Sequence, residues 1–273
     1  MTDRPVRPPR PQHVLQVVST ERLTPHLVRV RARGDDLSTF RASAYTDKYV
    51  KITFVKAELG LEPPYDLATL RETLRPEDLP VTRTYTVRHV DGDELVIDFV
   101  VHGDEGLAGP WAASAQPGDR LVVSSPGGGY APDPTADWHL LIGDESAVPA
   151  IAAALEALAP DAVGTAFLEV QHEGEQLELV APDGVEVVWL HRGASAAGTS
   201  TVLRDAVAAW HPHEGRGHVF AHGEREAMKA IRDIVFTRWG LERGQVSLSG
   251  YWAYGRTEDR FQAEKREPIG QIV

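Results

Sequence analysis

The sequence predicts two successive folded units, a six-stranded antiparallel β-barrel followed by an α/β/α unit built on a parallel sheet. Up to about residue 130, short segments of β-forming residues follow one another without a strong helix between them. From Trp138 onward the period changes, and apolar strands alternate with helical segments. We place the boundary within residues 132–136, so the predicted units span residues 1–133 and 134–273.

The composition is that of a folded protein, because 42% of the 273 residues are hydrophobic and 25% are charged. A formal net charge of -12 argues against a nucleic-acid partner, since nucleic-acid binding requires basic surfaces. The sequence contains no apolar run long enough to span a bilayer, and residues 1–12 lack the hydrophobic stretch of a signal peptide. We therefore expect a cytoplasmic protein without membrane insertion.

Metal and thiol chemistry are both disfavoured by the residue types present. Cysteine is absent, which excludes disulfides, cysteine-bound iron–sulfur clusters and a thiolate nucleophile. The pairs His211 with His213 and His218 with His222 lack the spacing of a ligand set, so we predict no protein-bound metal.

The strands predicted for the first unit are separated by turn-forming residues. They cover residues 13–19, 26–32, 49–55, the segment around 83–88, 94–101 and 121–125. Residues 58–80 form an insertion with a short helix at 66–74. In the third strand, alternation places Lys51 on one face with Tyr49, Thr53 and Val55, where a solvated lysine is the simplest explanation.

The fourth strand carries the run RTYTVR at residues 83–88. In an extended strand Arg83 and Tyr85 project from the same face, where a guanidinium and a phenol could hold a pyrophosphate and an adjacent flat ring. The run is therefore a candidate flavin cradle. A surface strand with solvated arginines remains the alternative, because short motifs recur by chance.

A glycine-containing loop follows the fifth strand and leads into Trp111. The backbone N–H groups of such a loop suit a phosphate. Asp98 and His102, at the end of the strand, could instead cap it.

The second unit alternates strands and helices. Strands are predicted at 139–143, 167–170, 185–190, 218–223 and 245–252, and helices at 150–158, 201–210 and 224–239. This order predicts a parallel sheet covered on both faces, with ligands at the carboxyl ends of its strands.

Five segments in this order resemble the siderophore-interacting protein family of FAD-dependent ferric-siderophore reductases, within the ferredoxin-reductase superfamily. They are RTYT at 83–86, DFVVHG at 98–103, GPWA at 109–112, GDESAVPA at 143–150, and GYW at 250–252 with GRTED at 255–259. The resemblance extends from about His13 to Glu267, and five ordered motifs are more specific than any one.

The resemblance implies which residues bind the cofactors. On the flavin side these are Arg83, Tyr85, Thr86, Val87, Asp98, Val100, His102, Gly109, Pro110, Trp111 and Ala112. On the nicotinamide side and at the end of the last strand they are Asp144, Glu145, Ser146, Tyr251 and Trp252. The loop before Trp111 has fewer Ser and Thr residues than the family pattern, which leaves the phosphate donors open.

The choice between NADH and NADPH depends on residues beyond the second strand of the sheet. Glu169, Glu173 and Glu175 would repel a 2′-phosphate, whereas Arg192 could bind one, so NADH is favoured and NADPH stays open.

Basic residues are expected to dock an anionic ferric siderophore by charge. Those predicted to bind it are Lys48, Lys51, Lys265 and Arg266. The resemblance implies that the tail after Gly250 folds back to the domain junction and brings Lys265 near. The alternative for residues 260–267 is a solvated helix face.

The implied reaction is the reduction of ferric siderophores by NAD(P)H through FAD, which releases ferrous iron. A flavin is required because a hydride carries two electrons and ferric iron accepts one, so no acid, base or nucleophile is predicted as a catalytic residue. Two alternatives remain: an electron-transfer flavoprotein with a ferredoxin-like partner, and a siderophore-binding protein without turnover. A monomer is expected.

Overall fold

The first sheet of the computed structural model is a closed antiparallel barrel. Its strands are β1 (Gln12–Thr24), β2 (Leu27–Arg33), β3 (Tyr49–Phe54), β4 (Val81–Asp91), β5 (Glu94–Val100) and β6 (Arg120–Ser124). They pair in the order β1-β2-β5-β4-β3-β6, and β6 returns to β1. The structure describes residues 10–101 and 106–272, so the predicted FAD contact His102 lies outside the described residues.

Alternation along the strands fills the barrel. In β3 the side chains of Val50 and Ile52 are buried in the core, whereas Lys51 between them is exposed. Short helices complete the unit: α1 (Ser38–Ala42), α2 (Leu67–Thr73) and α3 (Ala108–Ser114). The helix predicted in the insertion is α2, and the Asp66 carboxylate caps it by accepting from two backbone N–H groups.

The second sheet is parallel, with strand order β11-β10-β7-β8-β9. Its strands are β7 (Trp138–Asp144), β8 (Gly164–Val170), β9 (Val185–His191), β10 (Gly217–Glu224) and β11 (Val246–Trp252). Its helices are α4 (Val148–Ala157), α5 (Val202–Ala209) and α6 (Arg225–Arg232), and a π-helix over Asp233–Arg238 continues α6.

Two separate apolar clusters cover the two faces of this sheet. One contains Leu141 of β7 with α4, and the other contains Leu140 of β7 with α5 and α6. Because β7 is buried on both faces, it is almost continuously apolar. The predicted fold class, a barrel followed by an α/β/α unit, is confirmed.

The two sheets meet along β4 and α4, which are in contact. Arg88 of β4 donates to Glu156 of α4 at 2.9 Å, and a second contact joins the same side chains. Glu175, after β8, accepts from the Thr24 hydroxyl at 2.6 Å and lies 2.7 Å from His26 Nδ1. The carboxyl edge of the parallel sheet therefore faces the barrel. The predicted boundary falls in the connection from β6 to β7 and stays a prediction.

The chain ends in a tail that lies along α6. After β11 it forms α7 (Glu258–Glu264), and Lys229 and Arg232 of α6 then donate to the carbonyl oxygens of Ile269 (2.7 Å) and Ile272 (3.0 Å). No helix in the part of the chain that the structure describes has the length and apolar character needed to cross a membrane.

Candidate functional site

The strand β4 presents Arg83 and Tyr85 at the end of the barrel that faces α7. Arg83 Nη1 donates to Asp259 Oδ1 of α7 at 3.0 Å, and Arg83 is 18% exposed whereas Asp259 is 72% exposed. Burial raises the pKa of Tyr85 to about 12, and the charge of Glu258 acts in the same direction. Arg83 therefore binds an exposed carboxylate, and the same guanidinium could bind a phosphate in its place.

Four aromatic rings form the floor of this end of the barrel. Phe99 lies between Tyr85 and Trp111, with ring centroids 4.4 Å and 5.6 Å away, and Phe54 lies 5.9 Å from Trp111. These contacts place Trp111 of α3 in the same aromatic cluster as the cradle tyrosine. A flat ring bound beside Tyr85 would meet an apolar, preformed surface.

Packing explains the residue types at most of the other predicted flavin-binding positions in the loop and in α3. A Cβ at Gly109 would lie 3.0 Å from the Val100 carbonyl oxygen, so the glycine permits the close approach of α3 to β5. Ala112 is fully buried, and Pro110 lies in the first turn of α3. The structure thus gives these residues a packing role, and their approach to a pyrophosphate stays a prediction.

Three more predicted flavin contacts lie in β4, the cradle strand, or in the neighbouring strand β5. Val87 is buried in the barrel core, and Asp98 of β5 is held by two hydrogen bonds from Arg29, at 2.7 and 2.8 Å. Thr86 is buried and hydrogen bonds to Tyr251 of β11, whose pKa is raised by burial. The predicted residues Thr86 and Tyr251 therefore meet across the junction between the two sheets.

Asp144, at the carboxyl end of β7, organises the sheet edge. Its Oδ1 accepts from the backbone N–H and hydroxyl of Ser146, at 2.9 and 2.5 Å. Its Oδ2 accepts from the backbone N–H of Glu224, at 2.7 Å, and from Trp252 Nε1, at 2.9 Å. A carboxylate has about four acceptor positions, so Asp144 is saturated by its own chain. The structure brings Asp144, Ser146 and Trp252 together.

Glu224 was not predicted as part of this edge. Its buried carboxylate accepts from the N–H groups of Glu226, Ala227 and Tyr254, at 2.6, 2.9 and 3.1 Å. It thereby begins α6 and fixes the segment after β11. Glutamate is not a typical N-cap residue, so the sequence carries little signal for this role.

The residues predicted to select the nicotinamide coenzyme are partly committed to other contacts. Arg192 Nη1 donates to Glu145 Oε1 at 2.8 Å, and both side chains are largely buried. Glu175 points to the barrel, where it bonds Thr24, whereas Glu169 is buried beside the sheet edge. Burial raises the pKa of Glu169, and the charge of Asp144 adds to the effect.

Lys51 lies in β3 opposite Thr84 of β4, and Lys265 follows α7, whose Asp259 pairs with Arg83 of β4; we call this end of the barrel the mouth. Burial lowers the pKa of Lys265, the charge of Glu258 opposes this effect, and the charge of Lys51 adds to it. The ammonium of Lys265 lies 4.7 Å from the centroid of the Phe261 ring. Within residues 10–101 and 106–272, neither lysine nor the exposed Arg266 has an ion-pair partner. These cations remain available to an anionic ligand.

Lys48 differs from these cations because its own loop holds it. Its ammonium donates to the carbonyl oxygens of Ser43, at 3.3 Å, and Tyr45, at 2.6 Å, and burial lowers its pKa. The structure therefore holds Lys48 in its own loop, whereas Lys51 and Lys265 make no ion pair among the described residues.

Two of the histidines considered as metal ligands, His218 and His222, are held by hydrogen bonds within the fold. His222 is buried at the end of β10, with Nε2 3.0 Å from the Ser247 hydroxyl, and burial lowers its pKa to about 3. His218 Nδ1 accepts from the backbone N–H of Asp133 at 3.0 Å. Among the described residues, no group of three or more potential ligands could hold a metal ion.

Two family models match consecutive parts of the chain. The siderophore-interacting FAD-binding domain matches residues 16–130, and the siderophore-interacting protein matches residues 136–255. The two matches together cover the barrel, the parallel sheet and the first residues of the tail.

Individual proteins match over nearly the whole chain. An uncharacterized protein of Mycobacterium tuberculosis is 47% identical over 274 residues, covering 94% of this chain and 96% of the relative. The ferric vibriobactin reductase of Vibrio cholerae serotype O1 is 34% identical over 263 residues, covering 92% of this chain and 93% of the relative. The crystal structure of a siderophore utilization protein from T. fusca has a TM-score of 0.77 at 39% identity and covers 91% of this chain and 95% of that chain.

Proposed function

We propose that this chain, which belongs to the siderophore-interacting protein family, reduces ferric siderophores with electrons that NAD(P)H delivers through FAD. One observation carries the proposal: α7 pairs its Asp259 with Arg83, which suits a flavin nucleotide, and the same helix is followed directly by the cation Lys265. The relative from V. cholerae is named for the reduction of ferric vibriobactin, and we assign the same class of substrate here. A cytoplasmic location is part of the proposal.

The residues at the barrel mouth fit FAD by their chemistry. The Arg83 guanidinium can donate parallel hydrogen bonds to a phosphate in place of those it gives to Asp259. Tyr85 and Thr86 would border the flavin ring, and the aromatic floor under Tyr85 would exclude water from one side of it. When bound, a flavin accepts a hydride from a nicotinamide and passes electrons singly to ferric iron.

The cations of the mouth would receive the substrate. Lys51, Lys265 and Arg266 make no ion pair among the described residues, so an anionic ferric chelate would gain their attraction without displacing one. Reduction to ferrous iron weakens the hold of hard catecholate or hydroxamate oxygens, and the metal can then leave. The chain's role is to bind the chelate near the flavin edge.

The carboxyl edge of the parallel sheet would receive the nicotinamide. Asp144 fixes the shape of this edge, and Glu145 and Arg192 form a buried ion pair beside it. Because Arg192 is neutralised by Glu145 and Glu169 lies near, we favour NADH over NADPH. Comparing the rates of flavin reduction with the two coenzymes decides this choice.

An anaerobic stopped-flow experiment tests the function. The purified protein should be yellow with flavin absorbance, lose that absorbance on mixing with NADH or NADPH, and regain it on mixing with a ferric tris-catecholate. A colourless protein that still binds the ferric chelate would support a binding protein instead. Bleaching that a ferredoxin reverses, and a ferric chelate does not, would support the electron-transfer alternative.

A further inference from the structure

A single carboxylate gathers three arginines at the end of α7. Glu264 is 1% exposed, and its Oε2 accepts from Arg225 Nη1 at 2.6 Å. Its Oε1 accepts from Arg260 Nε at 2.7 Å and Arg256 Nε at 2.9 Å. Hydrogen bonds from Arg225 and then Arg260 hold the pKa of Glu264 at about 2, so the carboxylate is charged throughout the physiological range.

This cluster joins the tail to the parallel-sheet unit. Arg225 is the first residue of α6 and is itself 4% exposed, whereas Arg256 and Arg260 belong to the tail. A helix as short as α7 is not stable without tertiary contacts. The Arg225–Glu264 ion pair is therefore the buried contact that fixes the end of α7 against α6.

The same helix presents charged groups to the barrel. Asp259 pairs with Arg83 of β4, and Lys265 follows Glu264 at the end of the helix. Lys51 lies opposite Thr84 in the neighbouring strand β3. The Lys265 ammonium lies over the Phe261 ring of α7, 4.7 Å from its centroid, so its position depends on where α7 lies. In the described part of the chain Lys265 has no carboxylate within 4 Å, so no ion pair of its own fixes it.

We propose that Glu264 is a positioning residue for substrate binding, which acts by holding α7, and with it Lys265, against the parallel-sheet unit. The inference rests on the proposed function of that mouth. Glu264 touches neither the mouth nor the cradle strand β4; its contacts are the three arginines. Neutralising it removes the counter-ion that the three arginines share and leaves Arg225 paired only with the exposed Glu226 among the described residues. We expect α7 then to move away from α6 and to take Lys265 with it.

A double-mutant cycle with Lys265 tests the inference. In the FAD-loaded protein, Lys265→Gln should raise the KM for a ferric tris-catecholate by about three- to fivefold, the scale of one lost rim charge. Glu264→Gln should raise the KM by a similar factor, with the rate of flavin reduction by NAD(P)H unchanged. Because both changes act through the same ammonium, the KM of the double variant should be no higher than the KM of the more impaired single variant.

Glu267→Gln is the matched control, since it removes the same charge from an exposed position three residues away that has no ion pair among the described residues. It should leave the KM at the wild-type value. If Glu264→Gln does not fold, Arg260→Gln weakens the same cluster from its exposed side and takes its place. Multiplicative effects of Glu264→Gln and Lys265→Gln, or no effect of Glu264→Gln beside a clear effect of Lys265→Gln, would overturn the inference.

Hydrogen exchange supplies a readout that does not depend on turnover. Glu264→Gln should speed the exchange of amides in residues 258–265 at least tenfold and leave those of β7 and β10 protected. Unchanged exchange in α7 would refute the anchoring even if the ferric chelate were reduced normally. Faster exchange in α7 with no ferric reduction by the wild-type protein would support the anchoring and refute the proposed function.

Discussion

The charged groups at the sheet edge are fully paired within the chain, whereas those at the barrel mouth are paired only partly. At the edge, Asp144 accepts four hydrogen bonds and Glu145 is paired with the buried Arg192. At the mouth, Arg83 is paired only with an exposed carboxylate, and Lys51 and Lys265 have no ion pair among the described residues.

This difference separates two tasks. A saturated, buried edge is rigid and keeps its shape whether or not a coenzyme is bound, which suits the positioning of a nicotinamide. A mouth with exposed or unpaired cations retains free attraction for anions, which suits capture of a phosphate or a ferric chelate. Substitutions at the edge should therefore cost mainly stability, and substitutions at the mouth should cost mainly affinity.

Asp144→Ala should give the largest effect. It leaves the buried donors of Glu224 and Trp252 without an acceptor, so the free energy of unfolding should fall by about 3 kcal/mol or more. Urea denaturation measures the change. Asp161→Ala, at an exposed loop position, should change it by less than about 0.5 kcal/mol. A small effect of Asp144→Ala would show that the edge is not held by this carboxylate.

Arg83→Ala tests the mouth. Loss of a charge-assisted contact to a phosphate should weaken FAD binding by about 1.5–3 kcal/mol, roughly 10- to 150-fold in Kd, with little change in the unfolding of the apoprotein. Titration of the apoprotein with FAD measures this. Asp259→Ala is the matched control, because it removes the partner of Arg83 and leaves the guanidinium available. Full FAD occupancy and unchanged affinity in Arg83→Ala would rule out the cradle.

His222 provides a pH test of the edge. Its folded-state pKa of about 3 lies below the ordinary histidine value of 6.5, so between these values the unfolded chain binds a proton that the folded chain does not. Stability therefore falls as pH falls from 6.5, with this histidine contributing up to about 1.4 kcal/mol per pH unit. His222→Gln should make the fall shallower by that amount, measured by urea denaturation at several pH values.

The exposed His211 is the control for this measurement, since His211→Gln removes a histidine that no described contact holds in the fold. Its pH profile should follow the wild type. Burial also lowers the pKa of His139 and His218, but these residues are present in every variant and cancel in the comparison. Identical slopes in His222→Gln and wild type would mean that the edge accommodates a charged histidine.

Most of the fold could be predicted because its signals are local. The strands of the barrel and the alternation of strand and helix after Trp138 are visible as changes of period, and the order of the two units follows from them. Even the short helix α2 carries its signal in the sequence, since Asp66 precedes it as an N-cap. The closed pairing of the barrel is confirmed, although no single segment encodes it.

Sequence reasoning about the site used short segments such as the run from Arg83 to Tyr85, and the role of that run in flavin binding stays a prediction. Contacts between distant segments left no such signal. The saturation of Asp144 by Trp252, 108 residues later, and of Glu264 by Arg225, 39 residues earlier, arises only when the chain folds. Gly109 shows that one residue can satisfy two interpretations. Close packing against Val100 and close approach to a phosphate both require a residue without a Cβ, so the sequence alone does not distinguish them.

The smallest expected effect, and the finest test of the comparison, concerns the salt dependence of the mouth. Replacing Lys51 and Lys265 together with Gln should raise the KM for an anionic ferric siderophore several-fold at low ionic strength, as rim charges do, while the rate of flavin reduction by NAD(P)H stays near wild type. The ratio between variant and wild type should shrink towards one as salt rises, because the Debye length falls from about 30 Å at 0.01 M to about 8 Å at 0.15 M. Steady-state assays at several salt concentrations, with a neutral ferric chelate as the reference substrate, measure this dependence. An equal loss in both half-reactions would point to damaged cofactor binding instead, and no loss at any ionic strength would mean that both lysines are solvated surface charges without a role in docking.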